Sequence, residues 1–170
     1  MTSLPPPSAL VRPLLLGVVT GARSQLGLLA LALSRPRPHD RAAVRRLQTP
    51  AGRAGTALAA AGELVGDKLS RTPSRLSPPV FAERLVSGAL VGGLAADRRG
   101  PVATGLAAIA GALGAGVATW AASRARTILP ERTGTPDLPW ALAEDAAAIG
   151  LAAALRHTSG GRRWWDRLRR

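Results

Sequence analysis

The stretch that decides the fold is VATGLAAIAGALGAGVATWAAS, residues 102–123. It contains no Asp, Glu, Lys or Arg, and nearly every side chain in it is aliphatic or small. A run of roughly 18 or more apolar residues is long enough to cross the hydrocarbon core of a bilayer as an α-helix. The sequence therefore predicts an all-α protein in which this run forms a membrane-spanning helix.

Four other apolar segments accompany this run and make the predicted fold a polytopic membrane helix bundle of about five short, Ala/Gly-rich helices. In chain order the segments are 9–33, 54–69, 80–96, 101–123 and 140–155. The second, third and fifth reach only about 20–26 Å at about 1.5 Å per residue, against a hydrocarbon core of about 30 Å. We expect such helices to use loop residues, to thin the bilayer or to be shielded by neighbouring helices.

Pro-rich and basic segments flank and connect these helices. Residues 1–8 are predicted to be disordered, residues 9–155 form the bundle, and residues 156–170 form a basic tail with adjacent Trp residues. Connectors are predicted over 34–53 and 124–139, which are rich in Arg and Pro. The tail is typical of an interfacial anchor on anionic lipid. Simple retention of positive charge in the cytoplasm explains it as well, without an ordered helix.

The first apolar segment has three interpretations because Arg23, Ser24 and Gln25 interrupt it. It can cross the membrane once, or its middle can turn back as a re-entrant hairpin. A cleaved signal peptide is the third interpretation, since residues 30–32 resemble a small-residue cleavage site. The polar triplet argues against cleavage because it falls where a signal peptide should be most apolar.

The composition argues against several classes of function. A net charge of +13 in 170 residues is typical of nucleic-acid binders, but the Arg residues cluster between apolar runs, and one Phe with no Tyr offers no base-stacking surface. No Cys is present, which excludes thiol catalysis and thiolate metal sites. His39 and His157 lie outside the apolar runs. In the absence of a catalytic or zinc motif, we expect no enzyme activity, cofactor, metal or nucleic-acid partner.

The distribution of Arg and Lys predicts the orientation in the membrane. If each segment crosses once, fourteen basic residues lie on the side of the first connector and the tail, and eight lie on the other side, with Arg23 assigned to neither. Because cytoplasmic loops carry the excess of Lys and Arg, the C-terminus is predicted to be cytoplasmic and the N-terminus external. A re-entrant first segment would move the N-terminus inside. The predicted location is the plasma membrane, with the lipid bilayer as partner.

Small residues recur four positions apart in four of the segments. This spacing lets helix backbones approach closely in lipid, where packing drives association. The abundance of Gly and Ala also produces such spacings by chance. Those that are contacts can be internal or can join copies of the chain into a homo-oligomer. The sets are Gly17 and Gly21, Gly62 and Gly66, Gly88 and Gly92, and Ala107, Gly111 and Ala115.

Six charged residues lie within or at the ends of the predicted spans. A charged group in hydrocarbon costs about 2.5–3.5 kcal/mol and therefore needs a partner or a watery cavity. Glu63 and Asp67 lie four apart, on one helix face, and the acidic pair of the last segment lies at comparable depth. We therefore predict one polar cluster in the outer half of the bundle. Its members are Arg23, Glu63, Asp67, Lys68, Glu144 and Asp145.

The cluster is open to three interpretations. It can be an ion or proton pathway or a polar substrate site built on coupled carboxylates. It can be a set of buried salt bridges that only fixes helix packing. Alternatively, Asp67, Lys68 and Asp145 can lie at the interface and extend into water. The leading hypothesis is permeation of an ion or small polar solute, and the alternative is a non-transporting structural or assembly protein of the cell envelope.

The stretch GELVGDKL, residues 62–69, resembles a family of small bacterial integral membrane proteins known only as a domain of unknown function. Residues 21–23 (Gly-Ala-Arg), residues 84–93 (an Arg followed by a Gly-rich span) and the late Glu-Asp pair complete the pattern over most of 14–155. The chain departs from the family at Ser70, where Pro is usual, and in the following loop, which lacks the family's Asp residues. The resemblance implies a membrane protein with these polar residues and implies no activity.

Overall fold

The computed structural model describes residues 4–38, 40–66, 76–96 and 100–157. Within these ranges the chain forms seven α-helices and no β-strand, so the predicted all-α class is confirmed. The helices are α1 (Ser8–Ala22), α2 (Ser24–Ala32), α3 (Ala42–Leu47), α4 (Pro50–Gly66), α5 (Pro78–Leu94), α6 (Pro101–Thr133) and α7 (Asp137–His157).

Two of the described helices are long and apolar enough to cross a membrane, namely α6 and Asp137–Arg156 of α7. α1 is apolar but shorter. The predicted bundle of five spans is therefore not confirmed. One reason is that the first apolar segment is divided at Arg23 into two helices. Another is that α4 and α5 contain 17 residues each, or about 25 Å of helix.

The first apolar segment folds as a helical hairpin and not as one continuous helix. Arg23 alone separates α1 from α2, and its backbone is extended (φ −143°, ψ 110°). A Cβ atom added to Gly27 would collide with the hydroxyl of Thr20. Seven residues along a continuous helix would instead place these positions about 10 Å apart. α2 therefore returns alongside α1, and we call residues 21–25 the hairpin tip.

α4 runs antiparallel to α2 along the outside of the hairpin. At one end, Nε of Arg53 donates a hydrogen bond to the carbonyl of Ala32 at 3.2 Å. At the other end, Glu63 accepts a hydrogen bond from the amide of Ser24 at 2.8 Å. The two contacts fix both the direction of α4 and its register against α2.

α6 is the helix against which the hairpin lies. A Cβ added to Gly17 would collide with the carbonyl of Gly111, and one added to Gly21 would collide with the carbonyl of Ala115. Because the residue numbers rise together at these contacts, α1 runs parallel to α6. If five segments each crossed the membrane once, the first and fourth would be antiparallel. The hairpin instead makes α1 parallel to α6.

α5 lies against the same part of α6 in the opposite direction. A Cβ added to Gly88 would lie 2.5 Å from the Cβ of Ala115, and one added to Gly92 would collide with the carbonyl of Ala107. The small-residue sets of α1, α5 and α6 are therefore internal packing contacts, as one of the two interpretations predicted. They let three backbones meet with almost no side-chain volume between them.

Gly62, one member of the remaining small-residue pair on α4, is exposed. α4 packs on α2 and α3, and its buried residues are Thr56 and Ala60. A Cβ added to Gly62 or Gly66 would meet no atom within 4 Å in the described part of the chain. This pair makes no internal packing contact of the kind seen on α6.

Large apolar side chains point outward on α6, and small side chains point inward. Ile109, Leu113 and Val117 are 57%, 61% and 65% exposed. The buried residues of this helix are Ala107, Ala110, Gly111, Gly114, Ala115 and Thr119. In a water-soluble helix the large apolar residues form the buried face. The reverse distribution is typical of a helix whose outer face contacts lipid.

The loop predicted over residues 124–139 is wrong for most of its length, because α6 continues to Thr133 and α7 begins at Asp137. Pro130 removes one amide donor from α6 without ending the helix. The helix ends instead at Gly134, whose φ of 65° is the left-handed conformation that glycine adopts without a steric penalty. Pro139 lies in the first turn of α7, where a missing amide breaks no helical hydrogen bond.

The other predicted boundaries shift by a few residues. The connector over 34–53 contains α3 and the start of α4, because α4 begins at Pro50. Ser8, assigned to the disordered lead-in, already belongs to α1. Residues 1–3 of the lead-in and residues 158–170 of the basic tail lie outside the described residues.

Candidate functional site

α1 ends at the hairpin tip. Side chains of neighbouring helices donate hydrogen bonds to its last backbone carbonyls. Arg84 of α5 donates from Nη1 to the carbonyl of Gly21 at 2.5 Å and to that of Ala22 at 3.2 Å. Thr119 of α6 also donates to the carbonyl of Gly21, at 3.0 Å. Arg84 and Thr119 are buried, so these bonds form away from water. A cation is favoured here because the last carbonyls of a helix carry partial negative charge.

The start of α2 presents free backbone amides to a carboxylate from another helix. The amides of Ser24 and Gln25 donate to Oε1 and Oε2 of Glu63, both at 2.8 Å. The first amides of a helix have no partner within the helix, and they carry partial positive charge that favours an anion. Glu63 thus caps α2 from α4, a position that a residue just before the helix usually fills.

The two capping side chains also lie close to each other. Nη2 of Arg84 is 3.9 Å from Oε1 of Glu63, an ion pair between α5 and α4. Each charge therefore has two kinds of partner, namely the helix end that it caps and the opposite charge on the neighbouring helix. This arrangement compensates the break in the backbone within the bundle, where bare polar groups would be costly.

The side chain of Arg23 reaches α7. Its Nε donates to Oδ1 of Asp145 at 2.6 Å, and Nη2 binds the same oxygen. The two side chains are 3% and 9% exposed, so the pair is buried. Because Arg23 is the single extended residue between α1 and α2, this contact joins the hairpin tip to the last helix of the chain.

A series of hydrogen bonds connects the exposed Glu83 with Ser24 and Glu63 at the hairpin tip. Glu83 of α5 is exposed, and its Oε2 accepts a hydrogen bond from the hydroxyl of Ser24 at 3.1 Å. Ser87 donates to the other oxygen of Glu83 at 2.8 Å. The amide of Ser24 in turn donates to Glu63, so Ser24 lies between an exposed carboxylate and a largely buried one.

The structure brings together three of the six residues predicted for the cluster. Arg23, Glu63 and Asp145 all lie at the hairpin tip, although Glu63 reaches it through backbone amides, which the sequence did not predict. Glu144 is half-buried on α7, next to Asp145. Asp67 and Lys68 lie outside the described residues. Asp145 is buried in the protein, so its side chain does not extend into water.

The cluster predicted from the sequence did not include Glu83 and Arg84. A signal for Arg84 was nevertheless present. Arg84 precedes Gly88 and Gly92 by four and eight residues, so it lies on the same face of α5 as the small residues that contact α6. An Arg on a face that packs closely against another helix is expected to be buried and to require acceptors.

The described residues contain no group of three or more His, Cys, Asp and Glu side chains placed to hold a metal ion. The carboxylates at the hairpin tip face amides and guanidinium groups. The hydroxyl of Ser24 also donates to the carboxylate of Glu83 at this site.

Comparisons of the chain with protein-family models, with curated proteins and with solved structures find no match. The resemblance to the family of small bacterial membrane proteins stays a prediction.

We expect the buried Arg23–Asp145 pair to stabilise the fold far more than the exposed pair between Arg126 and Asp137. Asp145→Asn leaves a buried guanidinium without its carboxylate and should lower the free energy of unfolding by about 3–5 kcal/mol. Asp137→Asn is the matched control. Its side chain is 48% exposed, so the loss should be about 0–1 kcal/mol. Denaturation of both variants in detergent, followed by circular dichroism, measures the difference. Equal losses would show that the Arg23–Asp145 pair is not the stabilising contact described here.

Proposed function

We propose that the chain is an integral protein of the plasma membrane in which α4, α5, α6 and α7 cross the bilayer and the α1–α2 hairpin enters it without crossing. The outward-facing row Ile109, Leu113 and Val117 on α6 supports this placement, because lipid is the solvent that such a surface requires. The length and composition of α6 and α7 support it as well.

The hairpin has the dimensions of a re-entrant element. α1 has 15 residues and α2 has nine, which correspond to about 22 Å and 14 Å of helix, short of a hydrocarbon core of about 30 Å. With α1 parallel to α6, the N-terminus joins the same side as the C-terminus. Arg12 then moves to the cytoplasmic side, and the distribution of basic residues becomes fifteen against seven. The greater asymmetry favours a cytoplasmic C-terminus more strongly than before.

The proposed activity is permeation of an ion or a small polar solute past the hairpin tip. The observation that carries it is the meeting of two helix ends with Arg23, Glu63, Arg84 and Asp145 inside the bundle. The tip contacts Ala115 and Thr119, toward the end of the 102–123 run that is predicted to be external. Broken helices and ionisable residues at membrane depth are features of ion and substrate sites in transport proteins.

The row of carboxylates suggests how an ion would reach the tip. Glu83 is exposed, Glu63 is 14% exposed and Asp145 is 9% exposed, so the acidic groups become progressively more buried. The hydroxyl and the amide of Ser24 connect the first two. Carboxylates select protons and cations over anions, and the adjacent guanidinium groups would have to rearrange when an ion binds.

The alternative proposal is a structural or assembly protein of the cell envelope in which the charged network only holds the hairpin. The hydrogen bonds of Glu63 favour this alternative, because both carboxylate oxygens already accept backbone amides at 2.8 Å. Those bonds explain the position of Glu63 without any transported ion. No catalytic role is proposed under either alternative.

Measuring proton or cation flux on purified protein in liposomes distinguishes the two proposals. If the hairpin tip is the pathway, Glu63→Gln should abolish flux because it removes the negative charge between the exposed and the buried carboxylate. Glu131→Gln is the matched control, since Glu131 is exposed near the end of α6 and away from the tip. It should conduct like the unmodified protein.

Thermal melting of the same liposome or detergent samples completes this experiment. A folded Glu63→Gln protein without flux supports the pathway. If the unmodified protein conducts nothing and Glu63→Gln only lowers its melting temperature, the structural alternative holds. Flux that is unchanged by Glu63→Gln would overturn the assignment of the pathway to the hairpin tip.

The topology is tested with reporters of membrane side. Fusions before Met1 and after Arg170 should both be cytoplasmic, because α1 and α2 return to the side from which they enter. A reporter inserted at Ser77, just before α5, should be external. An external N-terminal reporter would contradict the re-entrant hairpin, and a cytoplasmic reporter at Ser77 would contradict the crossing by α4.

We propose that copies of the chain form a homo-oligomer through α4. The basis is which small residues contact other helices of the same chain and which do not. The sets on α1, α5 and α6 are used internally, whereas Gly62 is exposed on a face of α4 that also exposes Leu58 and Val65. Gly62→Leu should therefore convert a cross-linkable dimer into a monomer while leaving the melting temperature of the monomer unchanged. Gly105→Leu, at another open position on α6, is the control and should keep the dimer. A monomeric unmodified protein would remove the basis of this proposal.

A further inference from the structure

A surface cavity of about 780 Å³ lies near the start of α6, away from the hairpin tip. Thr104, on its wall, precedes the tip contact at Ala115 by eleven residues, or about 16 Å of helix. We call this space the basic cavity, because Arg41 and Arg45 of the first connector line one side of it. Gly100, Pro101, Thr104 and Gly105 line the other.

The two guanidinium groups are held at the cavity by single contacts. Arg41 donates from Nη2 to the hydroxyl of Thr104, and that hydroxyl donates to the carbonyl of Gly100 at 2.7 Å. Arg45 donates from Nη1 to the carbonyl of Asp40. A guanidinium carries five N–H donors, so each Arg retains donors for a ligand after these bonds.

The carboxylate closest in sequence is already engaged by other groups. Oδ2 of Asp40 accepts the amide of Arg37 at 2.8 Å and Nε2 of Gln48 at 3.1 Å. Among the described residues that line the basic cavity, Arg41 and Arg45 are the charged ones. Two guanidinium groups on one concave surface match the geometry of a phosphate, which accepts paired N–H donors.

The wall opposite the Arg residues provides space for a ligand. Gly105 lines the cavity, and a Cβ added there would meet no atom within 4 Å. The cavity volume falls within the range of about 300–1,000 Å³ that is usual for small-molecule sites. A headgroup with its glycerol can enter without displacing a side chain of α6.

An apolar row begins at this cavity and continues along the outside of α6. Gly105, Ile109, Leu113 and Val117 recur every four residues, so they share one face of the helix. Ile109, Leu113 and Val117 are all exposed. An acyl chain lying on this row would have its glycerol and phosphate at Gly105, between the row and the two Arg residues.

We propose that the basic cavity binds the phosphate of an anionic glycerophospholipid, with Arg41 and Arg45 on the headgroup and an acyl chain on the row of Ile109, Leu113 and Val117. The proposal rests on the membrane placement proposed above and is independent of the permeation activity. On the predicted topology the cavity lies at the cytoplasmic face, whose leaflet carries anionic lipid.

The test is the melting temperature of the full chain in detergent micelles containing either dioleoylphosphatidylglycerol or dioleoylphosphatidylcholine at the same mole fraction. Binding to the folded state should raise the melting temperature by about 3 °C or more with phosphatidylglycerol, relative to phosphatidylcholine. Arg45→Gln removes a charge from the cavity, and Gly105→Leu places a bulky side chain where the glycerol and phosphate would lie, without changing the charge. Both variants should lose the shift.

Arg46→Gln is the matched control, because Arg46 is an exposed neighbour on α3 that does not line the cavity. It should keep the full shift. Equal loss in Arg45→Gln and Arg46→Gln, or a full shift in Gly105→Leu, would overturn the site in favour of diffuse attraction. If millimolar inorganic phosphate gives the same shift as phosphatidylglycerol, the ligand is free phosphate and the lipid assignment is wrong.

The failure of this proposal is distinguishable from failure of the proposed function. The melting experiment requires no flux, so a protein that conducts nothing still reports lipid binding. Conversely, Arg45→Gln protein in liposomes should retain its flux, because the basic cavity is remote from the hairpin tip. A chain that stays folded and monodisperse without detergent would overturn the membrane placement and the lipid assignment together.

Discussion

The pairing of Glu63 and Arg84 with the two helix ends at Arg23 is the constraint on which the rest of the structure depends. Breaking an α-helix exposes amides on one side and carbonyls on the other, and each group left bare in an apolar interior costs several kcal/mol, or roughly 2–7 by transfer scales. Glu63 bonds the amides of α2, and Arg84 bonds the carbonyls of α1. The opposite charges then compensate each other at 3.9 Å. The hairpin can therefore turn inside the bundle instead of at its surface.

These contacts are possible only because the helices lie unusually close together. The Gly and Ala face of α6 admits the backbones of α1 and α5 on neighbouring sides, which brings Arg84 within reach of the carbonyl of Gly21. A larger side chain at Gly17 or Gly88 would push the helices apart, because a Cβ at either position would already collide with α6. Packing and electrostatics are thus coupled, since the small residues determine whether the charged residues find their partners.

The sequence predicted the parts of the fold that depend on composition, and it was weaker where tertiary contacts decide. The uncharged run 102–123 was sufficient to predict helices, and the small-residue spacing correctly identified three packing faces. The sequence did not decide whether the first apolar segment forms a hairpin, because a polar triplet is compatible with a kinked span and with a turn. Contact between Gly27 and Thr20 decides it, and neither residue signals that contact locally. The connector predicted over 124–139 was wrong for most of its length because Gly134, and not Pro130, ends α6.

The candidate site was predictable in part for a similar reason. A charged residue in an apolar run is visible in the sequence, which is why Arg23, Glu63 and Asp145 were selected. The capping function of Glu63 depends on which helix lies beside α2, and composition does not encode that neighbour. Arg84 was overlooked because it lies near the start of its helix, where a charge usually reaches solvent.

The pairing of Arg23 with Asp145 has a consequence for biosynthesis. The two residues are 122 positions apart in the chain, so at about 5–20 residues per second Asp145 is made roughly 6–24 s after Arg23. During that interval the hairpin has no α7 to receive its guanidinium, and burial in lipid would be unfavourable. The contact between the hairpin tip and α7 can therefore form only after Asp145 has been synthesised, when most of the chain already exists. The N-terminal hairpin thus depends for its last contact on a helix near the other end of the sequence.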